Sequence, residues 1–495
     1  MTSVIQSIDY FAIAPPLALA LTACVVLLLD AFLPRGPRVR GTLGLVTLAG
    51  VLAALALLVA QAVRGQTLAT FCVPAPVACS YVVDHITLIF AGLALVAGVV
   101  VILLSMEELA GGEIPVGEWY FLLLCTLVGA ITLPASRDLV MLVVALELVS
   151  LPVFVLTALR RYDGRASEAA VKLFLVSVVS TAIMLFGVSL MYGVSGTLHL
   201  AGLQQGLVGN PLAQTAVPSA ALVLIIAGFA FKVAAVPFHS WAADVYEGAS
   251  LPVAALLSVI SKAAGFAGLI LVLVVAQPLT SGIWVPLVAV IAALTMTVGN
   301  LLAMRQAHAV RLLAWSSVAQ SGYILAPLGA GPDGAGAAVV YLVFYAAMNL
   351  GAFAVVMLVS RADSRLGGGT LQDYRGLIFR SPAAALALAF FLVCLAGLPP
   401  GLAGLFAKVA VFRELVDGGV AWLAIVMAIN TVVGLYYYAT WTAALFSPAP
   451  SGAPELPRAR SAQVAVGVAI AVVATVVFSV SPQLVFDVGS LSALG

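Results

Sequence analysis

Charge is what this sequence has least of. Only 8% of its 495 residues are Asp, Glu, Lys or Arg, while 63% are hydrophobic. The mean hydropathy is +1.20. A soluble domain of this length cannot be built with so little charge, because its surface would be one apolar patch. The net charge of +1 gives no basic surface for nucleic acid, which excludes that partner. Lysine is rarer still: Lys172, Lys232, Lys262 and Lys408 are the only four, against seventeen arginines. Cysteine occurs five times with no CxxC pair, so neither zinc nor an iron–sulfur cluster is indicated. The first apolar run has no basic segment before it and no cleavage site after it. It reads as a mature helix rather than a signal peptide. Short alternating segments, the mark of a transmembrane β-barrel, are missing as well.

What is present is a series of apolar runs of about 20 residues along the whole length, which predicts an all-α polytopic membrane protein. We read about fourteen transmembrane helices in a single membrane domain, 1–495. Spans 1–3 cover 11–105, spans 4–8 cover 119–276, spans 9–13 cover 284–446, and span 14 covers 462–486. Span 7 (218–239) is broken by Pro237, and span 12 (381–412) by Pro399 and Pro400. The two breaks lie five spans apart, so 119–276 and 284–446 read as two inverted repeats. Paired broken helices in inverted halves point to a transport site near the bilayer middle. Loops after spans 1, 5, 9, 11 and 13 hold fourteen arginines, and the opposite loops hold three. The positive-inside rule puts the first group in the cytoplasm and both termini outside. Cys72 and Cys79 flank a proline-containing outer loop, where a disulfide can form. GPDGAG at 331–336 has no strand before it and reads as a turn.

All four lysines fall in apolar segments by this reading. A buried lysine can give up its proton, whereas arginine stays charged. Lys232 precedes Pro237, and His239 follows it as either a relay group or an interfacial one. Asp244 and Glu247 then read as a short acidic loop. Lys262 lies in the next run among Ser258, Ser261, Gly265 and Gly268, where small neighbours admit a close helix and water. Glu147, mid-span and just before Pro152, needs a cation, and Lys172 or Lys232 is the candidate. A static pair pinning two helices is the plain alternative. However, four lysines and one glutamate leave cations without carboxylates, which suits a proton relay. Lys408 follows the GLPPG break, with snorkelling to the outer interface as its alternative role. Glu107, Glu108, Glu113 and Glu118 read as a solvated acidic loop.

Four stretches carry a resemblance: FKVAAVPFHSWAADVYEGASLPVAALLSVISKAAGF, ELVSLPVFVLTALRR, RLLAWSSVAQSGY and AGLPPGLAGLFAKVAVF. Together they resemble the antiporter-like membrane subunits of respiratory complex I and of Mrp-type cation/proton antiporters. Within that group the chain is most similar to N-type subunits of bacterial NADH–quinone oxidoreductase. Lys408 and a chain that ends soon after span 14 favour that type over the M- and L-types. The resemblance implies a multi-pass subunit of the bacterial cell membrane that couples electron transfer from NADH to quinone to proton pumping. It implies no cofactor in this chain, with flavin (FMN) and iron–sulfur clusters in partner subunits. The implied partners are M-type and small K-, J- and A-type membrane subunits, with membrane lipid around them. It further implies that Glu147 modulates Lys232, that Lys262 passes the proton across, and that Lys408 hands it outward. Lys172 matches a sixth-span lysine of the N type. The chain departs from the family pattern at Val310, Trp315 and Gln320, the last standing where histidine is usual. Glutamine does not titrate, so a route through Gln320 needs water. Two other readings remain: a subunit of an Mrp-type sodium/proton antiporter, and a purely structural membrane subunit.

Overall fold

The computed structural model describes residues 8–34, 36–73, 78–160, 163–208, 210–276, 281–360, 368–448 and 461–491. Helices α1 (Ala14–Phe32) and α2 (Pro37–Arg64) each carry a proline in the first turn, where no hydrogen bond is lost. A hairpin of β1 (Leu68–Val73) and β2 (Ala78–Val83) follows. Next come α3 (His85–Glu108), α4 (Val116–Thr132), α5 (Leu139–Ala158) and α6 (Gly164–Ser195). Asp84, Asp138 and Asp163 cap α3, α5 and α6 by accepting first-turn N–H bonds. After the short α7 (Leu203–Leu207) stand α8 (Val217–Lys232), α9 (Trp241–Gly248) and α10 (Leu251–Leu256). A π-helical turn, Leu257–Ser261, joins α10 to α11 (Lys262–Ile270). The second half holds α12 (Ser281–Ala303), α13 (Ala309–Leu325), α14 (Ala335–Val359), α15 (Leu377–Arg380), α16 (Pro382–Ala396) and α17 (Leu402–Asp417). The chain closes with α18 (Ala421–Phe446), α19 (Ala462–Val480) and α20 (Gln483–Leu491).

Eleven helical segments among the described residues are long and apolar enough to cross a membrane. The chain is an all-α polytopic membrane protein. Its core is the 251–274 helix, buried on nearly every side, with α14 beside it. A helix that is apolar and buried all round belongs at the centre of a bundle. The outer helices present exposed apolar residues such as Val179, Phe186, Ile429 and Val432, the surface that hydrocarbon requires.

The 64–84 segment contains a β-hairpin, in which Cys72 pairs with Cys79 in register and forms the disulfide that the sequence allowed. Two expectations need correction. Asp244 and Glu247 are not in a loop but on α9, the second half of a broken helix. Glu108 is not solvated: it ends α3 and pairs with Arg160 at 2.5 Å.

The two breaks differ from plain proline kinks. The first begins at the end of α8, five residues before Pro237, and Ala234 takes a left-handed φ of +56°. The freed backbone finds partners, as it must within a bilayer. Val236 N–H donates to Thr295 Oγ1 on α12 (3.0 Å), and Trp241 Nε1 donates to the Phe231 carbonyl (3.2 Å). At the second break Gly397 ends α16 with φ +80°. There α17 turns back so closely that a Cβ at Gly404 would land on the Cys394 carbonyl. Each break holds one cis peptide, Val236–Pro237 and Pro399–Pro400.

Candidate functional site

Three of the four lysines lie in the interior: Lys232, Lys262 and Lys408 are 6%, 1% and 5% exposed. Lys232 is the last residue of α8, so its ammonium sits at the negative end of a helix dipole. Its Nζ donates to Ser150 Oγ on α5 at 2.7 Å. Glu147 lies one turn earlier on α5 and accepts from Thr181 of α6 at 2.6 Å. No direct ion pair joins Glu147 to Lys232. A small cavity beside Lys232, with room for about one water, is lined by Ser150, Trp241 and Ser261 among others. Leu257 and Ser261, from the π-helical turn just before Lys262, complete its lining. The helices meet closely there, since a Cβ at Gly265 would stand 3.0 Å from Lys232 Cγ.

Lys262 follows the π-helical turn. Such turns leave backbone carbonyls without their usual partners and recur at functional positions. The freed Ser258 carbonyl accepts from Tyr345 of α14 at 3.0 Å. Lys262 Nζ donates to Ser317 Oγ (2.6 Å), Ser321 Oγ (2.8 Å) and the Ser317 carbonyl. Ser317 and Ser321 are four residues apart on α13 and so share one face. Ser317 Oγ also bonds the Tyr345 hydroxyl at 2.6 Å. Lys408 stands on α17 and reaches back across the break. Its Nζ donates to the Ala396 carbonyl, at the end of α16, at 2.6 Å, and it lies 5.4 Å from the centre of the Tyr323 ring. Gly397 leaves this passage open, because a Cβ there would come within 2.9 Å of Lys408 Cδ.

Gln320, 2% exposed, directly precedes Ser321, which Lys262 reaches, and its amide faces the Leu395 carbonyl, next to the Ala396 carbonyl that Lys408 reaches. Its Oε1 accepts from Tyr341 at 2.7 Å, and its Nε2 donates to the Tyr438 hydroxyl at 3.3 Å. Tyr438 in turn bonds Ser316. Farther out on the same side, Asn300 joins Tyr323, Tyr437 and Asn430. The buried interior therefore carries a row of ammoniums, hydroxyls and amides. Among the described residues neither Lys262 nor Lys408 has a carboxylate partner. Ammoniums held only by neutral groups are costly to keep inside a membrane, and groups of this kind mark proton and ion pathways.

Lys172 stands apart. The expectation that it lies inside an apolar segment is corrected: its side chain is 44% exposed and pairs with Glu168 (2.7 Å) and Asp244 (3.0 Å). Arg311 joins the same cluster through Asp244 (3.0 Å) and Glu247 (2.6 Å). His239 lies in the first break with its ring 5.7 Å from that of Trp315. Pro237, Pro399 and Pro400 sit in the breaks, and Cys72 with Cys79 lies in the hairpin away from the lysines. No cluster of three or more His, Cys, Asp and Glu able to hold a metal occurs among the described residues.

Residues 136–434 match the model of the family described as NADH:quinone oxidoreductase/Mrp antiporter, transmembrane. The chain belongs to this family. The antiporter-family match spans both breaks and all four lysines. The chain is 52% identical, over 92% of its length and 85% of the relative's, to NADH-quinone oxidoreductase subunit N 2 of Streptomyces griseus. It is 44% identical to NADH-quinone oxidoreductase subunit N of Salinispora tropica, over 99% of this chain and 100% of that one. Among solved structures it is similar to a chain of respiratory complex I from Thermus thermophilus with bound aureothin. That match has TM-score 0.78 and 31% identity, covering 96% of this chain and 98% of that one. A chain of the Mrp complex from Dietzia superposes with TM-score 0.83 at 22% identity, over 98% and 97%, which shows a common fold.

Sequence reasoning missed the buried polar groups near these lysines. Tyr341, Tyr345 and Asn349 recur every four residues in α14, and Ser317 and Ser321 do so in α13. Polar residues at helical spacing inside an apolar run were the available signal.

Proposed function

We propose that this chain is the N-type proton-translocating membrane subunit of an NADH:quinone oxidoreductase. The observation that carries the reading is the row of three buried lysines set at two helix breaks and a π-helical turn. The names of its relatives give the row its context and favour this reading over an Mrp-type sodium/proton antiporter. Within fourteen spans — the eleven long segments, α13 and the two broken helices — the proton enters beside Lys232, crosses through Lys262 and leaves at Lys408. Glu147 sets the proton affinity of Lys232 from one helical turn away. Lys172 belongs to a charged rim at the entry side. FMN, iron–sulfur clusters and quinone chemistry reside in partner subunits, and M-type and K-, J- and A-type subunits are the membrane neighbours. The chain lies in the bacterial cell membrane with both termini outside. Ion pairs group the loops by side as this topology requires, with the orientation itself resting on the arginine count: Arg160–Glu108 and the Lys172–Asp244–Arg311 cluster join segments assigned to the cytoplasm. Arg137–Asp84 and the disulfide lie on segments assigned to the outside.

The test is purification of the tagged chain in mild detergent, followed by an NADH–quinone assay and acidification of sealed vesicles. Co-purifying flavin and iron–sulfur subunits with NADH–quinone activity are expected. Lys232→Ala should assemble yet pump poorly. Normal pumping by that variant would sink the assigned roles, and sodium flux without NADH oxidation would move the chain to the antiporters.

A further inference from the structure

Helix α9 is eight residues long and is joined to its neighbours by irregular chain at both ends. Residues 233–240 before it are turns, and Ala249 and Ser250 after it are extended. So short a helix does not fix its own place, so side contacts must do so. At its start, Trp241 donates to the Phe231 carbonyl, lies with its ring 5.4 Å from that of Phe231, and lines the cavity beside Lys232. Toward its end, Tyr246 meets Phe353 of α14, and Gly248 lies so near α6 that a Cβ there would stand 2.5 Å from that of Ala169. The remaining hold is electrostatic. Asp244 and Glu247 are three residues apart and share one face of α9. Arg311 Nη1 reaches both, at 3.0 and 2.6 Å. Lys172 reaches Asp244 alone, and its other partner, Glu168, stands on its own helix. Among the described residues, Arg311 is thus the one cation that pairs with both carboxylates. It stands in the first turn of α13, the helix whose Ser317 and Ser321 hold Lys262.

We propose that Arg311 is a positioning residue for the first break: it clasps α9 to α13 from the rim and so keeps Trp241 against the Lys232 cavity. All three members of the clasp are partly exposed. Ion pairs of that kind are weak one by one. Two of them together hold α9 in place, yet can be released without moving any charge in the interior. Release frees α9 to shift, Trp241 leaves the cavity wall, and water reaches Lys232. A group at the rim that carries no proton thereby decides how wet a buried lysine is. The bearing on pumping rests on the proton-translocating role proposed above; the clasp itself does not.

The test reads the cavity directly. Ser261 lines it, and Ser261→Cys places a thiol there. In the purified complex this thiol is treated with a small water-soluble methanethiosulfonate, and mass spectrometry of its peptide separates it from the native cysteines. Adding Arg311→Gln removes both pairs to α9, and labelling should run about tenfold faster. Glu247→Gln removes one pair and should give an intermediate rate. Arg311→Lys keeps the charge without the guanidinium fork and should restore part of the protection. Lys172→Gln should label within about twofold of the parent. In chains with native Ser261, NADH-driven acidification per chain should fall in the same order. An arginine needed only for folding would lower the amount of chain in the membrane and leave the remainder labelling at the parent's rate. That result, or equal rates for Arg311→Gln and Lys172→Gln, would overturn the clasp. If Arg311→Gln does not assemble, Glu247→Gln decides, and a parental rate there overturns it as well. Faster labelling with unchanged acidification would uphold the clasp and count against the proposed function.

Discussion

The two broken helices hold their lysines by different means. At the first break, Lys232 is itself the end of the helix. It is held by a side-chain hydroxyl, Ser150, with Glu147 one turn away and a water-sized space beside it. At the second break, Lys408 is threaded past Gly397 onto a backbone carbonyl and over an aromatic ring. Side chains and a cavity make the first site adjustable, because a charge change at Glu147 or a shift of one water alters what Lys232 meets. Backbone and ring make the second site rigid. On the proton route proposed above, the first break would be the site that responds to an outside event and the second the site that fixes where the proton leaves.

Replacing each lysine by arginine should separate them most sharply. Arginine does not release its proton, so acidification should drop about tenfold or more in both variants. Only Lys408→Arg should also lower the amount of chain in the membrane, since the bulkier side chain must pass Gly397, where even a Cβ would stand 2.9 Å from Lys408 Cδ. Equal chain levels for the two variants would break the comparison. Gly397→Ala comes next. A non-glycine residue at φ +80° costs about 1–2 kcal/mol, and the new methyl meets Lys408 as well. Gly265→Ala must displace both the Lys232 stem and the Val233 methyl by a few tenths of an ångström and should cost about 1 kcal/mol, at the low end for overpacking. Thermal unfolding of the purified complex reads the difference.

A smaller effect is expected from Ser150→Ala. It removes the hydroxyl that holds Lys232, worth about 1 kcal/mol, and should slow pumping several-fold. Tyr323→Phe keeps the ring beneath Lys408 and should leave that site almost unchanged. The reverse order in a vesicle acidification assay would show that the second site depends on hydroxyls after all. The smallest change should come from Lys172→Ala. Half-exposed ion pairs contribute roughly 0–1 kcal/mol and weaken with salt, so pumping should stay within about twofold of the parent.

Much of this was legible in advance. Long apolar runs give helices because backbone groups in hydrocarbon have no other partners, and the Pro237 and GLPPG interruptions were visible as breaks. The places of Lys232, Lys262 and Lys408 followed from their position within those runs. Lys172 did not, because an apolar run does not say which face of its helix turns inward, and α6 turns that lysine toward the rim. The hairpin was hidden because a strand as short as LATFCV is apolar enough to pass for the frayed end of a span. The start of the first break was misplaced at Pro237. A proline marks where a helix cannot continue, whereas the left-handed turn at Ala234 already ends it. The Gln320 contacts depend on α14 and α18 lying against α13, which is tertiary information.

The close return of α17 onto α16 also bears on how this chain can change over generations. Every amino-acid change that one base can make in a glycine codon adds a Cβ. At Gly404 that atom has no place beside the Cys394 carbonyl, and at Gly397 it meets both a left-handed backbone and the Lys408 stem. The corner thus has almost no acceptable neighbours in sequence space. In a saturation library selected for growth on NADH-linked respiration, these two codons should be among the most depleted. Drift would be left to sites such as Gly41 and Gly193, which face open space.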